Sequence, residues 1–185
     1  MSLPHAILGF LNYRPFSGYD LKKAFDISVQ HFWPADQSQI YRTLSRLTEQ
    51  GWAEIELVEQ QERPDRKVYH ITEAGRQELH EWLQKPVLFE KSRHAPLIQV
   101  FFAGQLDDAQ ILEILERQAD QVRALLAQFG DVPEASAPYA EMVGSAREAF
   151  FWMLTLDMGI KTAEAQLAWL EEVIAKIRSG EHPKE

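Results

Sequence analysis

Apolar residues recur at spacings of three and four along most of this chain, and the places where that rhythm changes mark out its parts. Ile40, Leu44 and Leu47, with Tyr41 beside them, make one such run. Asp36 stands ahead of it as an N-cap with Gln39 as capping-box partner, and Gly51 supplies the left-handed residue that ends it, predicting a helix from about Gln37 to Gln50. The rhythm then shifts to strand-like segments. Ala53 to Glu59 carries Ile55, Leu57 and Val58, and Lys67 to Ile71 carries Val68, Tyr69 and Ile71. The polar connection from Gln60 through Pro64 and Asp65 to Arg66 makes the pair a hairpin. Thr72 caps a further helix through Leu79, Trp82 and Leu83. Upstream, one short helix opens at Pro4 and carries Ile7, Leu8, Phe10 and Leu11; another is capped by Ser17 and carries Leu21, Ala24 and Phe25. Three helices, two strands and a helix in that order predict a winged helix-turn-helix over residues 1–85.

From Lys85 to Pro96 periodicity fails, which places a linker at 86–96 and a helical domain at 97–185. A short apolar helix is expected from Leu97 to Ala103. Asp107 or Asp108 then caps a helix of about twenty residues with Ile111, Leu115, Ala119, Val122, Leu126 and Phe129 on one seam. Gly130 to Pro138 is expected to be a loop. From Tyr139 to Arg178 the pattern resumes through Met142, Val143, Ala146, Phe150, Met153, Ile160, Leu167, Leu170, Ile174 and Ile177. A helix that long would span about 60 Å, too much for the preceding helix to cover. It is expected to bend near Gly159 and to cross to a second subunit, with Leu167, Trp169, Leu170, Val173, Ile174 and Ile177 as the dimer contact. The alternative is an intramolecular three-helix bundle holding Trp169 and Leu170 in its own core. The fold class is thus mainly α with a small two-stranded wing, followed by a long-helix dimerisation domain.

The chemistry of the helix at 37–50 changes the picture from fold to function. Its wet face offers Ser38, Gln39, Arg42, Thr43 and Arg46, side chains able to bond base edges and phosphates, and its one acid, Glu49, waits until the last turn. The neighbouring hairpin tip carries Arg63, Arg66 and Lys67 against Glu62 and Asp65. Net charge works against this reading. Ten Lys and Arg against twelve Asp and Glu through Lys85 leave −2, and the remainder, nine against sixteen, carries −7 of the total −9. Screening over a Debye length of about 8 Å means that only the docking face must be positive. Arg14, Lys22, Lys23, Arg42, Arg46, Arg66 and Lys67 are its expected members.

Other classes fare worse. The histidines show no HxH or HExxH arrangement, and there is no GxSxG, phosphate loop or cysteine, so neither catalysis nor a metal or cofactor is expected. Zero cysteines and no apolar stretch of membrane-spanning length fit a cytoplasmic protein without a membrane partner. A winged helix used for protein contacts without DNA readout is the competing function. In the C-terminal half, Phe150, Phe151 and Trp152 cannot all face one interior. Trp152, with Phe102, is therefore the expected place for a hydrophobic effector.

Pro4 to Leu11 (PHAILGFL), Gly18 to Phe25 (GYDLKKAF), Gln39 to Gly51 (QIYRTLSRLTEQG) and Arg66 to Gly75 (RKVYHITEAG) together resemble the DNA-binding domain of PadR-type transcriptional regulators. Pro96 to Leu106 (PLIQVFFAGQL) and Gln166 to Glu172 (QLAWLEE) resemble the C-terminal helices of the branch related to virulence-gene activators. The resemblance implies a homodimer that binds an inverted-repeat operator in double-stranded DNA, usually as a repressor. In some members a small aromatic effector such as a phenolic acid releases the DNA. By position it implies that Tyr41 bonds a phosphate and that Arg66 and Lys67 are basic wing residues. Pro64 and Asp65 depart from the family pattern by stiffening the wing tip and lowering its charge.

Overall fold

The computed structural model describes residues 2–30, 32–59, 65–87, 94–181 and 183. They form two compact units, Met1–Leu88 and Phe89–Glu185. The first contains α1 (Leu3–Tyr13), β1 (Phe16–Ser17), α2 (Gly18–Ser28), α3 (Gln37–Glu49), β2 (Ala53–Val58), β3 (Arg66–Ile71) and α4 (Glu73–Gln84). Local signals fix most of these ends. Ser17 accepts from the Asp20 amide, Thr72 from that of Gly75, and Asp36 forms the full capping box with Gln39. Gly51, at φ 72°, takes the left-handed conformation after α3 that a side chain would resist.

The sheet has three strands rather than the expected two. Its order is β1-β3-β2, all antiparallel, with Phe16 opposite Tyr69 and Ser17 opposite Val68. A two-residue strand is too short to show alternation, so its pairing has no local signature. Phe25, Ile7, Leu8, Leu21, Ile40, Leu44 and Leu47 are fully buried beneath the sheet and between the helices. Of the expected hairpin connection, residues 60–64, with Arg63 and Pro64, lie outside the described residues, as does most of the expected linker at 86–96.

The second unit contains α5 (Ala95–Phe101), a 3₁₀ turn at Ala103–Gln105, α6 (Asp108–Val143) and α7 (Ala146–Ser179). Asp107, not Asp108, is the α6 cap. Two expectations are corrected here. Gly130 to Pro138 is not a loop: α6 runs through it for 36 residues despite Pro133 and Pro138. Each proline removes one ladder bond, but Phe129 and Ser136 are buried and Val132 packs on the same core, so side-chain burial carries the helix across. The chain turns instead at Gly144, in the left-handed conformation, and Ser145 caps α7. At 36 and 34 residues, α6 and α7 match in length at about 54 and 51 Å. The premise that the last helix outruns its neighbour therefore fails, and α7 passes through Gly159 as one unbroken element. Arg123 bonds Glu171 at 2.8 Å and Arg178 bonds Glu116 at 2.6 Å, so equal steps along the two helices run in opposite directions. The pair is an antiparallel hairpin closed over Leu115, Ala119, Val122, Phe129, Leu156, Ala163, Leu170 and Ile174.

Candidate nucleic-acid interface

One side of α3 is spent on the core: Ile40, Leu44 and Leu47 have no exposure. The other presents Ser38, Gln39, Tyr41, Arg42, Ser45 and Arg46, all exposed. Two residues of α3 lie on the side opposite to the one expected. Thr43 is buried at 9 % exposure and its hydroxyl donates to the Gln39 carbonyl at 2.8 Å, so it leaves the exposed set. Lying three residues after Ile40 and four before Leu47, it shares their side of the helix. Tyr41, expected among the packing residues, is 39 % exposed at the edge of that side.

Gln39 is partly engaged at home, because its side-chain oxygen accepts from the Asp36 amide at 3.0 Å. Arg42 Nε reaches the Ser38 carbonyl at 3.4 Å, which lays its side chain back along the helix. Neither Arg42 nor Arg46 has an ion-pair partner among the described residues. The Tyr41 ring lies against Gly18, close enough that a β-carbon there would sit 2.5 Å from Cε1. Tyr69 is near the same ring. Burial first, and the Tyr41 phenol second, push the Tyr69 phenol above its ordinary value.

The expected cationic set is divided. Arg66 pairs with Asp20 and reaches the Ser17 hydroxyl at 3.4 Å, while Lys67 is exposed at the start of β3, opposite Leu57. Lys22 pairs with Asp26. Arg14 lies 4.0 Å from the Phe16 ring centre with a buried Nε, and Lys23 lies 4.5 Å from that of Tyr19. Ser17 and Asp20 were not expected to touch the wing. Forty-nine residues separate Ser17 from Arg66, and nothing local announces the contact.

Within the second unit, most of the residues expected at the dimer contact pack against α6 of the same chain. Leu170 has no exposure and Ile174 has 7 %, because both are consumed in the core with α6; Leu167, Val173 and Ile177 pack against that core. Trp169 alone of that set is exposed, at 38 %. The large apolar residues left outside are, besides Trp169, Leu97, Ile98, Phe101, Phe102 and Leu106 on and after α5, Leu125 on α6, and Phe150, Phe151, Leu154 and Met158 on α7, among the described residues. Of the three consecutive aromatics it is Phe150 and Phe151 that face outward, with Trp152 partly buried. A cleft of about 350 Å³ between α6 and α7 is lined by charged residues including Glu116, Arg123, Glu171 and Arg178, and includes neither Phe102 nor Trp152. No helix among the described residues is long and apolar enough to cross a membrane.

Residues 7–81 match the transcriptional regulator PadR-like family, and residues 92–178 match the virulence activator alpha C-term family. A probable transcriptional regulator of Mycobacterium tuberculosis, Rv1176c, is 34 % identical over 94 % of this chain and 96 % of its own. The negative transcriptional regulator PadR of Bacillus subtilis is 29 % identical over 95 % of this chain and 97 % of its own. Its crystal structure in complex with operator DNA superposes with a TM-score of 0.81 at 27 % identity, covering 96 % of this chain and 99 % of that one. A second structure of the same protein, in complex with p-coumaric acid, gives 0.74 at 26 % identity over 96 % and 99 %. Since the Mycobacterium tuberculosis regulator is 34 % identical over 94 % of this chain, the chain belongs to the PadR-like family of transcriptional regulators, not enzymes, and carries a C-terminal region of the virulence-activator type.

Proposed function

We propose that the chain is a sequence-specific repressor that binds an inverted-repeat operator as a homodimer in the cytoplasm. The observation that carries this is α3. Its buried side anchors it rigidly, while its exposed side presents Ser38, Gln39, Arg42 and Arg46 with no acid ahead of Glu49. Such a helix fits the major groove, where guanidinium and amide groups pair with base edges. Tyr41 and Lys67 contact phosphates on either flank, and Arg66 does so from its place beside Asp20. The operator complex of the Bacillus subtilis relative supports DNA as partner, and that protein's description as a negative regulator supports repression.

Dimerisation uses the apolar residues outside the hairpin core, on α5 and the outer side of α7, with Trp169 at the margin. It doubles the length of sequence read, since two copies meet half-sites about 34 Å apart. The p-coumaric acid complex of the relative supports a phenolic acid as effector, with Phe102 and Trp152 as candidate contacts. Such a ligand must bind the released conformation more tightly than the DNA-bound one.

The test is selection of duplexes from a random-sequence pool by the full chain, followed by titration of Arg42→Ala. Loss of about 1–3 kcal/mol with relaxed preference at one position identifies a base contact; a uniform loss across sequences identifies a phosphate contact. Failure to enrich any sequence would overturn the proposal. Affinity should fall with salt at a log-log slope of about −0.9 per phosphate neutralised.

A further inference from the structure

The exposed arginines of α3 have no ion-pair partner among the described residues, but the wing arginine does. Arg66, the first residue of β3, pairs with Asp20 in the first turn of α2 and also reaches Ser17 Oγ at 3.4 Å. The acceptors are themselves fixed. Ser17 Oγ donates to Asp20 Oδ2 at 2.7 Å and accepts from the Asp20 amide at 3.2 Å, and Ser17 is opposite Val68 in the sheet. An acid here is costly for a surface meant to meet phosphates, since its charge opposes the ligand. Its place in the first turn of α2 favours the carboxylate locally, but that does not require an arginine beside it.

From this network we infer that Asp20 is a positioning residue for DNA binding: it holds the Arg66 guanidinium, and with it the loop end of the wing strand β3, at a fixed place beside α3. The inference rests on the reading of α3 and the wing as the docking surface. One turn of chain, Ser17 to Asp20, then sets both flanks of the reader helix. Gly18 lies under Tyr41, and Asp20 with Ser17 holds Arg66. The guanidinium has five donors in a planar fork, so it can bond a carboxylate along one edge and a phosphate along another. Held this way, it gives up little side-chain freedom when DNA arrives.

The sign of the mutational effect separates positioning from plain electrostatics. Removing Asp20 takes a negative charge from the docking face, which by charge alone tightens binding; removing a positioning group weakens it. The experiment titrates the full chain and its Asp20→Ala, Asp20→Asn, Arg66→Ala and Asp20→Ala/Arg66→Ala variants against a duplex selected by the wild-type chain, over a range of salt, with thermal melts of each. Expected are a loss of about tenfold for Asp20→Ala and for Arg66→Ala, a smaller loss for Asp20→Asn, which keeps an acceptor, and no further loss in the double variant. The salt slope should become shallower by about 0.9 in both Asp20→Ala and Arg66→Ala, a change that a fault in folding alone does not produce. Wild-type or tighter binding by Asp20→Asn, an unchanged slope in Asp20→Ala, or a full Asp20 effect persisting in the Arg66→Ala background would overturn the inference while leaving the DNA reading intact. A wild-type chain that binds no duplex at any salt would overturn that reading itself, and this inference with it.

Discussion

Gly18→Ala separates the placement of Tyr41 from the stability of the fold. The added methyl would lie 2.5 Å from Tyr41 Cε1, 2.6 Å from Cζ and 3.0 Å from the phenol oxygen. Carbon atoms settle at about 3.5–4.0 Å, so the ring must retreat by roughly 1 Å or more. It can do so cheaply, because it is the far end of a rotatable side chain and is already 39 % exposed. Alanine is also the better helix former, by up to about 1 kcal/mol. Thermal unfolding should therefore stay within about 4 °C of wild type. DNA binding should not. If the phenol bonds a phosphate, the displaced ring forfeits a hydrogen bond to a charged group, about 1.5–3 kcal/mol or roughly 10- to 100-fold in affinity. Fluorescence anisotropy with a selected duplex measures this, and Tyr41→Phe supplies the reference by deleting the hydroxyl without moving the ring. Gly18→Ala should add little in the Tyr41→Phe background. Wild-type affinity in Gly18→Ala, or an equal loss in both backgrounds, would refute the reasoning.

Gly75→Ala should act oppositely, on stability. Its methyl would meet the Trp52 carbonyl oxygen at 2.1 Å, and that oxygen is fixed by the Thr72 amide at 3.0 Å, so urea unfolding should show a loss of about 1–3 kcal/mol; an unchanged midpoint would contradict this. Leu170→Ala should cost about 3–5 kcal/mol in the second unit, against less than about 1 for Trp169→Ala. If Leu170→Ala instead dissociated dimers in sedimentation at full stability, its place in the hairpin core would be wrong. The raised Tyr69 phenol holds its proton more firmly in the folded chain than in the unfolded one, where its value is about 10. The stability it confers is thus complete below about pH 10 and is lost as pH rises through the folded value, so Tyr69→Phe should flatten the alkaline limb of a stability-pH curve.

What could be read in advance was local chemistry. Asp36 with Gln39, Ser17, Thr72 and Gly51 act within four residues of the ends they set, and each stands where its neighbours require it. Contacts between distant segments were not legible in the same way. β1 exists only because β3 is beside it, and the Ser17, Asp20 and Arg66 network joins residues whose roles look unrelated along the chain. Thr43 was a different failure, since its spacing from Ile40 and Leu47 already placed it inward and its polarity was given too much weight. In the second unit, two prolines and a glycine outweighed the apolar rhythm that continues past them. Burial of Phe129 and Val132 reversed that balance, while Leu170 and Ile174 share one core with Leu115, Ala119 and Val122, which belong to the stretch of α6 already expected.

Pro133 and Pro138 have no amide hydrogen to donate, so the last third of α6 runs two bonds short of a full ladder. Among the described side chains beyond Phe129, Val132 packs on the core with α7 and Ser136 is buried, while most of the others are exposed. The missing bonds thus fall where side-chain cover is thinnest, and local opening of α6 is expected to start there. Amide exchange should be slowest up to Phe129 and quicken past that point.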